Sequence, residues 1–345
     1  MATTNSRAGN ETPDLSIIAP MFNEEANVER TIGRIKEEMK DFRGQWEFIM
    51  VNDGSTDRTR ETAERFAQED PRLRVVGYSE NAGRGKALRT GMAAAQGRII
   101  VTTDFDLSYD PSHIRRIYDE LAANPEIDVV LGSAYMPGGT TEGVPWFRLF
   151  VSKMGNQILR HAMGGKYWTI TCVLRGYRDY VLKSIELESD GKEIHLEILS
   201  KVTALGYKVK EIPADLRSRK KGKSKFRFRS TSVSHLVFGI FERPMMLFGA
   251  LGLLFLLAGF IVGAYLLCIY LRGALNPERP LMTVLVVMLL GGVQMLCFGF
   301  LALQILSLRK QIYIVQKENR QLQAHLLEQD RRRPPGAGTS DDPRA

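Results

Sequence analysis

Two stretches of this chain carry no charged residue, Met245 to Leu271 and Leu281 to Leu308. Each exceeds the roughly 20 apolar residues that cross a hydrocarbon core, and a buried helix of a soluble domain rarely runs so long without charge. They are read as two transmembrane helices joined by the hairpin Arg272–Pro280. Two spans return the chain to the side from which it started. Basic residues flank the pair on that side, with Arg227, Arg229 and Arg243 before it and Arg309, Lys310, Lys317 and Arg320 after it. The hairpin holds only Arg272 and Arg279, so the positive-inside bias puts the N-terminal bulk of the chain and the tail in the cytoplasm. Met1 to Asp14 is polar and lacks the apolar core of a secretory signal.

The expected organisation is a disordered N-terminus (1–14), one α/β domain (15–215), a basic juxtamembrane loop and interfacial helix (216–243), the transmembrane hairpin (244–308), a cytoplasmic amphipathic or coiled-coil helix (309–333) and a disordered tail (334–345). The three cysteines, Cys172, Cys268 and Cys297, fit neither a disulfide framework nor a zinc site. The net charge of +8 would suit nucleic acid, but much of it lies beside the spans, where anionic lipid is the simpler partner. Eight of the thirteen residues from Arg217 to Arg229 are basic, interleaved with Phe226 and Phe228, the pattern of a membrane-surface patch. Ile312, Val315, Asn319, Leu322 and Leu326 recur at a/d spacing, and an Asn at an a position sets register in a homo-oligomer, whether dimer or tetramer.

Strand and helix signals alternate through the first part, as in a mostly parallel sheet. Strands are expected at Leu15–Ala19, Trp46–Val51, Leu73–Val76, Arg98–Thr103 and Val129–Leu131, with Asn23 as an N-cap and Thr56 or Asp57 capping the next helix. Asn81-Ala82-Gly83-Arg84-Gly85-Lys86 is a glycine-rich turn that runs into a helix. In open α/β sheets ligands sit beyond the carboxyl ends of strands, where Asn23, Glu24, Asp53, Lys86, Asp104 and Asp106 all fall. Asp104-Phe105-Asp106-Leu107-Ser108 is the most chemical of these segments. In extended backbone residues i and i+2 share a side, so the two carboxylates can close on one hard cation, Mg²⁺ or Mn²⁺, with phosphate oxygens completing its shell.

The residues resemble the family-2, GT-A-fold polyprenol-phosphate glycosyltransferases, a family that includes dolichol-phosphate mannose synthase and the bacterial undecaprenyl-phosphate glucosyl- and aminoarabinosyltransferases. The resemblance rests on Ala19-Pro20-Met21-Phe22-Asn23-Glu24-Glu25, Val51-Asn52-Asp53-Gly54-Ser55-Thr56-Asp57, Asp104-Phe105-Asp106-Leu107-Ser108, Gly132-Ser133-Ala134-Tyr135 with Gly138-Gly139, and Arg219-Lys220-Lys221-Gly222-Lys223-Ser224-Lys225. It implies a nucleotide-sugar pocket at Pro20, Phe22, Glu24, Val51, Asp53, Asp104, Phe105 and Asp106, reached also by Arg219 and Lys225. It implies a metal held by Asp104, Asp106 and Ser108, and a lipid phosphate near Arg148 and Ser152. Two departures stand out. Ala134 replaces the arginine common in relatives, and Thr169-Ile170-Thr171-Cys172-Val173 replaces their Asp-Pro-Thr-Ser-Gly.

The implied reaction moves a sugar from a UDP- or GDP-sugar to polyprenyl phosphate (undecaprenyl or dolichyl) at the inner, plasma membrane, with inversion. A phosphate monoester is largely dianionic at neutral pH, so no general base is needed, and Asp104, Asp106, Arg219 and Lys225 act by charge and position. A polysaccharide synthase is the nearest alternative, but none of Trp46, Trp146 or Trp168 lies in a Gln-x-x-Arg-Trp signature. A catalytically silent nucleotide-binding scaffold is the other. Glu197 is either a site residue or an exposed one, His195 packs or faces solvent, and Trp146 and Trp168 sit at the membrane interface or in the core.

Overall fold

A computed structural model describes residues 12–162, 166–217, 244–273 and 280–332. Its centre is a seven-stranded sheet in the order β3-β2-β1-β4-β7-β5-β8. β1 (Leu15–Met21) and β2 (Trp46–Asp53) are almost wholly buried, which is why Ile17–Ala19 and Phe48–Val51 read as continuous apolar runs and not as alternating ones. β1 pairs in parallel with β2 and with β4 (Ile99–Thr102), and β2 with β3 (Leu73–Tyr78). β7 (Arg175–Arg178) is antiparallel to β4 and to β5 (Val129–Ser133), and β5 is parallel to β8 (Val209–Pro213). A short parallel pair, β6 (Thr140–Glu142) and β9 (Asp215–Arg217), lies outside this sheet. The expected mostly parallel α/β domain is what the chain forms.

Helices α1 (Val28–Glu38), α2 (Thr59–Glu69), α3 (Arg84–Ala94) and α4 (Ser112–Ala123) connect the strands, followed by α5 (Trp146–Ala162), α6 (Asp179–Ser184) and α7 (Ile194–Ala204). In α1, Val28, Thr31, Ile32 and Ile35 are buried, the spacing of a stripe facing the sheet. At the amino ends of the strands the buried Glu47 carboxylate is satisfied by the Ser16 hydroxyl at 2.7 Å, the Gln96 N–H at 2.8 Å and Arg74 at 2.5 Å. It locks β1, β2, β3 and the entry to β4 together.

Two helices follow that are long and apolar enough to cross a membrane, Pro244–Leu271 and Pro280–Arg332. The chain does not break at Leu308. Pro280–Arg332 is one helix of 53 residues, so the second span and the expected 309–333 segment are a single rod of about 80 Å. Close approach of the two helices requires glycine. A Cβ on Gly252 would stand 3.0 Å from the Gly292 carbonyl oxygen, and one on Gly292 only 2.7 Å from Leu256 Cγ. Gly292→Leu should therefore destabilise the hairpin by about 1–3 kcal/mol, the usual cost of overpacking, seen as earlier thermal unfolding of the detergent-solubilised protein. Leu290→Ala, at a site 67% exposed, should leave the midpoint unchanged.

Candidate active site

The carboxyl ends of β1, β2 and β4 converge on one edge of the sheet. After β1 the chain turns at Asn23, which adopts a left-handed φ of 52°. Its backbone N–H donates to Ser55 Oγ at 3.0 Å, and its side-chain oxygen accepts from the Thr56 N–H at 2.8 Å. Asn23 thus ties the β1 loop to the β2 loop and does not cap α1, which starts five residues later at Val28. Asp57 does serve the start of α2, accepting from the Thr59 N–H at 3.0 Å. Glu24 accepts from Asn27 Nδ2 at 2.6 Å, and Pro20, Phe22 and Glu24 are half-buried along this edge.

Asp53, at the end of β2, is buried and heavily committed. Its Oδ1 accepts from the Tyr78 hydroxyl (2.8 Å), the Ala82 N–H (2.9 Å) and the Gly83 N–H (3.1 Å), and its Oδ2 accepts from Asn81 Nδ2 (3.0 Å). Burial, together with this bond to a carboxylate, pushes the Tyr78 hydroxyl pKa far up, so it stays a donor. Lys86 stands 4.8 Å over the Tyr78 ring. Asp53 therefore fixes the glycine-rich turn that begins α3, and any bond to a ribose or base falls to the remaining capacity of Oδ2.

Two residues expected in the nucleotide pocket are core residues instead. Val51 is fully buried beneath α3, and Phe105 is 2% exposed, stacked on Phe48 with ring centroids 6.5 Å apart. Each sits at a position whose side chain turns into the sheet.

The acidic segment is a turn, not an extended strand. β4 ends at Thr102, the Leu107 N–H donates back to the Asp104 carbonyl at 3.3 Å, and Leu107 takes a φ of 55°. A non-glycine residue in that region is held there by its surroundings at a cost of roughly 1–3 kcal/mol. The premise that i and i+2 share a side does not hold here. Asp106 accepts from the Ser108 N–H at 2.9 Å and hydroxyl at 2.6 Å, and Asp104, more exposed, lies 3.2 Å from Arg84. Thr31 Oγ1 donates to the Phe105 carbonyl at 2.7 Å, anchoring the turn to α1.

No three His, Cys, Asp or Glu side chains gather as a metal cluster among the described residues. Asp104, Asp106 and the Ser108 hydroxyl form an all-oxygen donor set, which fits Mg²⁺ or Mn²⁺ completed by substrate oxygens.

Opposite this turn, Tyr135 donates to Ser152 Oγ of α5 at 2.7 Å. Asn156, one turn on, accepts from the Ile170 N–H at 2.8 Å and so ties α5 to the segment that departs from the relatives. That segment is held from below by Arg175, fully buried, which donates to the carbonyls of Ile170, Cys172 (2.9 Å) and His195 (2.8 Å). The outer side of α5 presents Trp146, Phe147, Phe150 and Met154, with Trp146 78% exposed. Trp168 is 39% exposed beneath Arg160, so both tryptophans stand at the surface. Arg148 lies one turn before Ser152, but its side chain is outside the described residues, as are Arg219 and Lys225. β9 carries the chain to that point: the Arg217 N–H donates to the Ser108 carbonyl at 2.8 Å.

Arg84 and Arg175 are not among the site residues that the motifs imply. Arg84 was legible as the cation inside a glycine-rich turn after a strand. Arg175 had no local signal.

The domain matches the Glycosyl transferase family 2 profile over residues 16–186. Dodecaprenyl-phosphate galacturonate synthase of Rhizobium johnstonii is 31% identical over 305 residues, covering 84% of this chain and 86% of that protein. The chain belongs to glycosyl transferase family 2. A second relative of this glycosyltransferase, polyprenol monophosphomannose synthase of Mycolicibacterium smegmatis, is 32% identical over 61% of the chain and 79% of its own length. Among solved structures, glucosyl-3-phosphoglycerate synthase from Mycobacterium tuberculosis, crystallised with Mn²⁺, UDP and phosphoglyceric acid, superposes with a TM-score of 0.51 at 20% identity. That likeness covers 66% of this chain and 78% of that protein, and it establishes the GT-A fold of the glycosyltransferase domain.

One titration is tied to the site. His113 of α4 is buried, and its Nε2 accepts from the Asp215 N–H at 3.0 Å, pinning β9. Burial, then Arg116, lowers its pKa below 6.5 against the opposing pull of Asp215 and Asp110. The unfolded chain takes up this proton first, so unfolding free energy should fall as pH drops below about 6.5. Thermal midpoints measured between pH 7.5 and 5.5 should show a shallower fall in His113→Gln than in the parent protein.

Proposed function

We propose that this glycosyltransferase moves a sugar from a nucleotide donor, a UDP- or GDP-sugar, to polyprenyl phosphate at the cytoplasmic face of the inner membrane. The observation that carries the reading is the position of the acidic turn. It lies on the same edge of the sheet as Tyr135 and Ser152, whose helix exposes an aromatic face, in a chain that also holds two helices of bilayer length. A phosphate acceptor bound at Ser152, its prenyl chain along Trp146, Phe147 and Phe150, would face a donor diphosphate bound at Asp104 and Asp106. The named acceptors of the relatives, dodecaprenyl phosphate and a polyprenol, support the same class.

The donor's charge is the difficulty. A Mg²⁺ or Mn²⁺ ion held by Asp104, Asp106 and Ser108 would draw negative charge from the departing nucleoside diphosphate. Arg84, freed from Asp104, supplies a fixed cation at the same place, joined by Arg219 and Lys225 of the basic segment. The acceptor is already largely dianionic. The chain's own residues therefore orient two anions and shield them from each other, and no side chain has to abstract a proton. Attack opposite the leaving group inverts the anomeric carbon.

Contact between the end of the long helix and the domain supports one side for both, with the termini cytoplasmic. Ile312, Val315 and Leu322, each more than half exposed, support pairing of this helix with a second copy of the chain, and the basic segment supports contact with anionic lipid.

Radiolabelled nucleotide sugars offered with polyprenyl phosphate should yield a lipid-linked monosaccharide, and chelation should stop it. Polymer, or no product from any donor, would overturn the assignment. Asp104→Asn and Asp106→Asn should each lower kcat/KM by about 100-fold or more, with unchanged circular dichroism. Arg84→Ala should raise the donor KM with little effect on the acceptor KM.

A further inference from the structure

The long helix does not end its work at the bilayer. Beyond the apolar stretch it lies against α6 and α7, where Tyr313 and Lys317, one turn apart, present the same face. Lys317 Nζ sits 4.3 Å over the Tyr207 ring, and Lys201 Nζ sits 5.3 Å over the Tyr313 ring. Tyr207 in turn donates to Ser184 Oγ of α6 at 2.8 Å.

Lys201 is the junction. It is 7% exposed, donates to the Glu186 carbonyl and forms an ion pair with Glu197 at 2.6 Å. Glu197 is not an exposed residue but a largely buried one. Its two carboxylate oxygens accept from the backbone N–H groups of Glu188 and Ser189, each at 2.9 Å. Burial opposes that charge, but Lys201 and the two N–H groups outweigh it and hold the carboxyl below the usual range.

The segment so held reaches the donor side of the site. The Asp190 carbonyl accepts from the N–H groups of Gly85 (2.7 Å) and Lys86 (3.3 Å), and Asp190 pairs with Arg89. The packing is too close for a side chain, since a Cβ on Gly85 would stand 2.3 Å from the Ser189 carbonyl oxygen. The first turn of α3 is therefore gripped from two sides, by Asp53 at Ala82 and Gly83 and by Asp190 at Gly85 and Lys86. Arg84, between them, is aimed at Asp104.

We propose that Tyr313 and Lys317 are positioning residues for the donor: by seating the extramembranous end of the long helix on Lys201 and Tyr207, they hold residues 186–191 against α3 and set Arg84 opposite Asp104. The link to the donor rests on the proposed function. The mechanical link does not.

The test uses full-length protein in nanodiscs. In Tyr313→Ala/Lys317→Ala, amide hydrogen exchange at Glu188, Ser189, Gly85 and Lys86 should quicken by about fivefold, the size expected for losing two partly desolvated cation–ring contacts. The donor KM should rise by a similar factor while the polyprenyl-phosphate KM stays unchanged. Tyr313→Phe and Lys317→Arg keep ring and cation and should behave as the parent, as should Gln311→Ala. Lys317→Ala alone should give the same pattern at smaller size, which keeps the test open if the double variant folds poorly. Unchanged exchange at Glu188 and Ser189, or donor and acceptor KM rising together, would overturn the proposal. If the parent protein transfers no sugar, the functional reading fails, and the exchange data still decide whether the helix holds the segment.

Discussion

One buried carboxylate organises the catalytic edge of this protein. Asp53 has left water almost completely, and a buried charge persists only where donors surround it. It has four: a phenol, two backbone N–H groups and an amide. Those donors come from the end of β3 and the start of α3, so satisfying one side chain fastens three elements at one point. Glu47 does the same at the opposite ends of the strands. A parallel sheet whose two rims are each cinched by an acid is a stiff platform, and a stiff platform is what a reaction governed by charge placement requires.

Much of this was legible in the residues, because much of it is local. The apolar runs of β1, β2 and β4 mark buried parallel strands, and the uncharged stretches mark the two long helices without ambiguity. The acidic pair is plain in the sequence, but its geometry is not. The strand stops at Thr102, and Leu107 enters a left-handed conformation that no leucine announces. Asn23 looked like a helix cap, whereas its side chain finds a partner 33 residues away in Thr56. Val51 and Phe105 belong to recognisable motifs, yet motif membership does not say which way a side chain turns. Arg175 was invisible for a different reason. Its partners are carbonyl oxygens, which every residue has, so nothing in the composition near it signals a clamp.

The acceptor side follows its own logic. The resemblance implies Asp-Pro-Thr-Ser-Gly where this chain has Thr169 to Val173, yet that stretch is not loose. Asn156 receives it from above, the Glu211 carboxylate accepts the N–H groups of Trp168 and Thr169, and Arg175 gathers its carbonyls from beneath. Ala134, where relatives place an arginine, is buried beside this loop. The loop is thus held by side chains that reach it from α5, β8 and β7.

The unbroken helix from Pro280 to Arg332 also acts as a gauge. If its apolar part spans the bilayer as proposed, a rod seated on the domain beyond that part couples bilayer thickness to the domain's placement. In a thicker bilayer such a rod stands more upright, and in a thinner one it leans. Because Tyr313 and Lys317 hold it against the domain, the domain would tilt with it. The height and orientation of the site above the headgroups would then follow the membrane's own thickness.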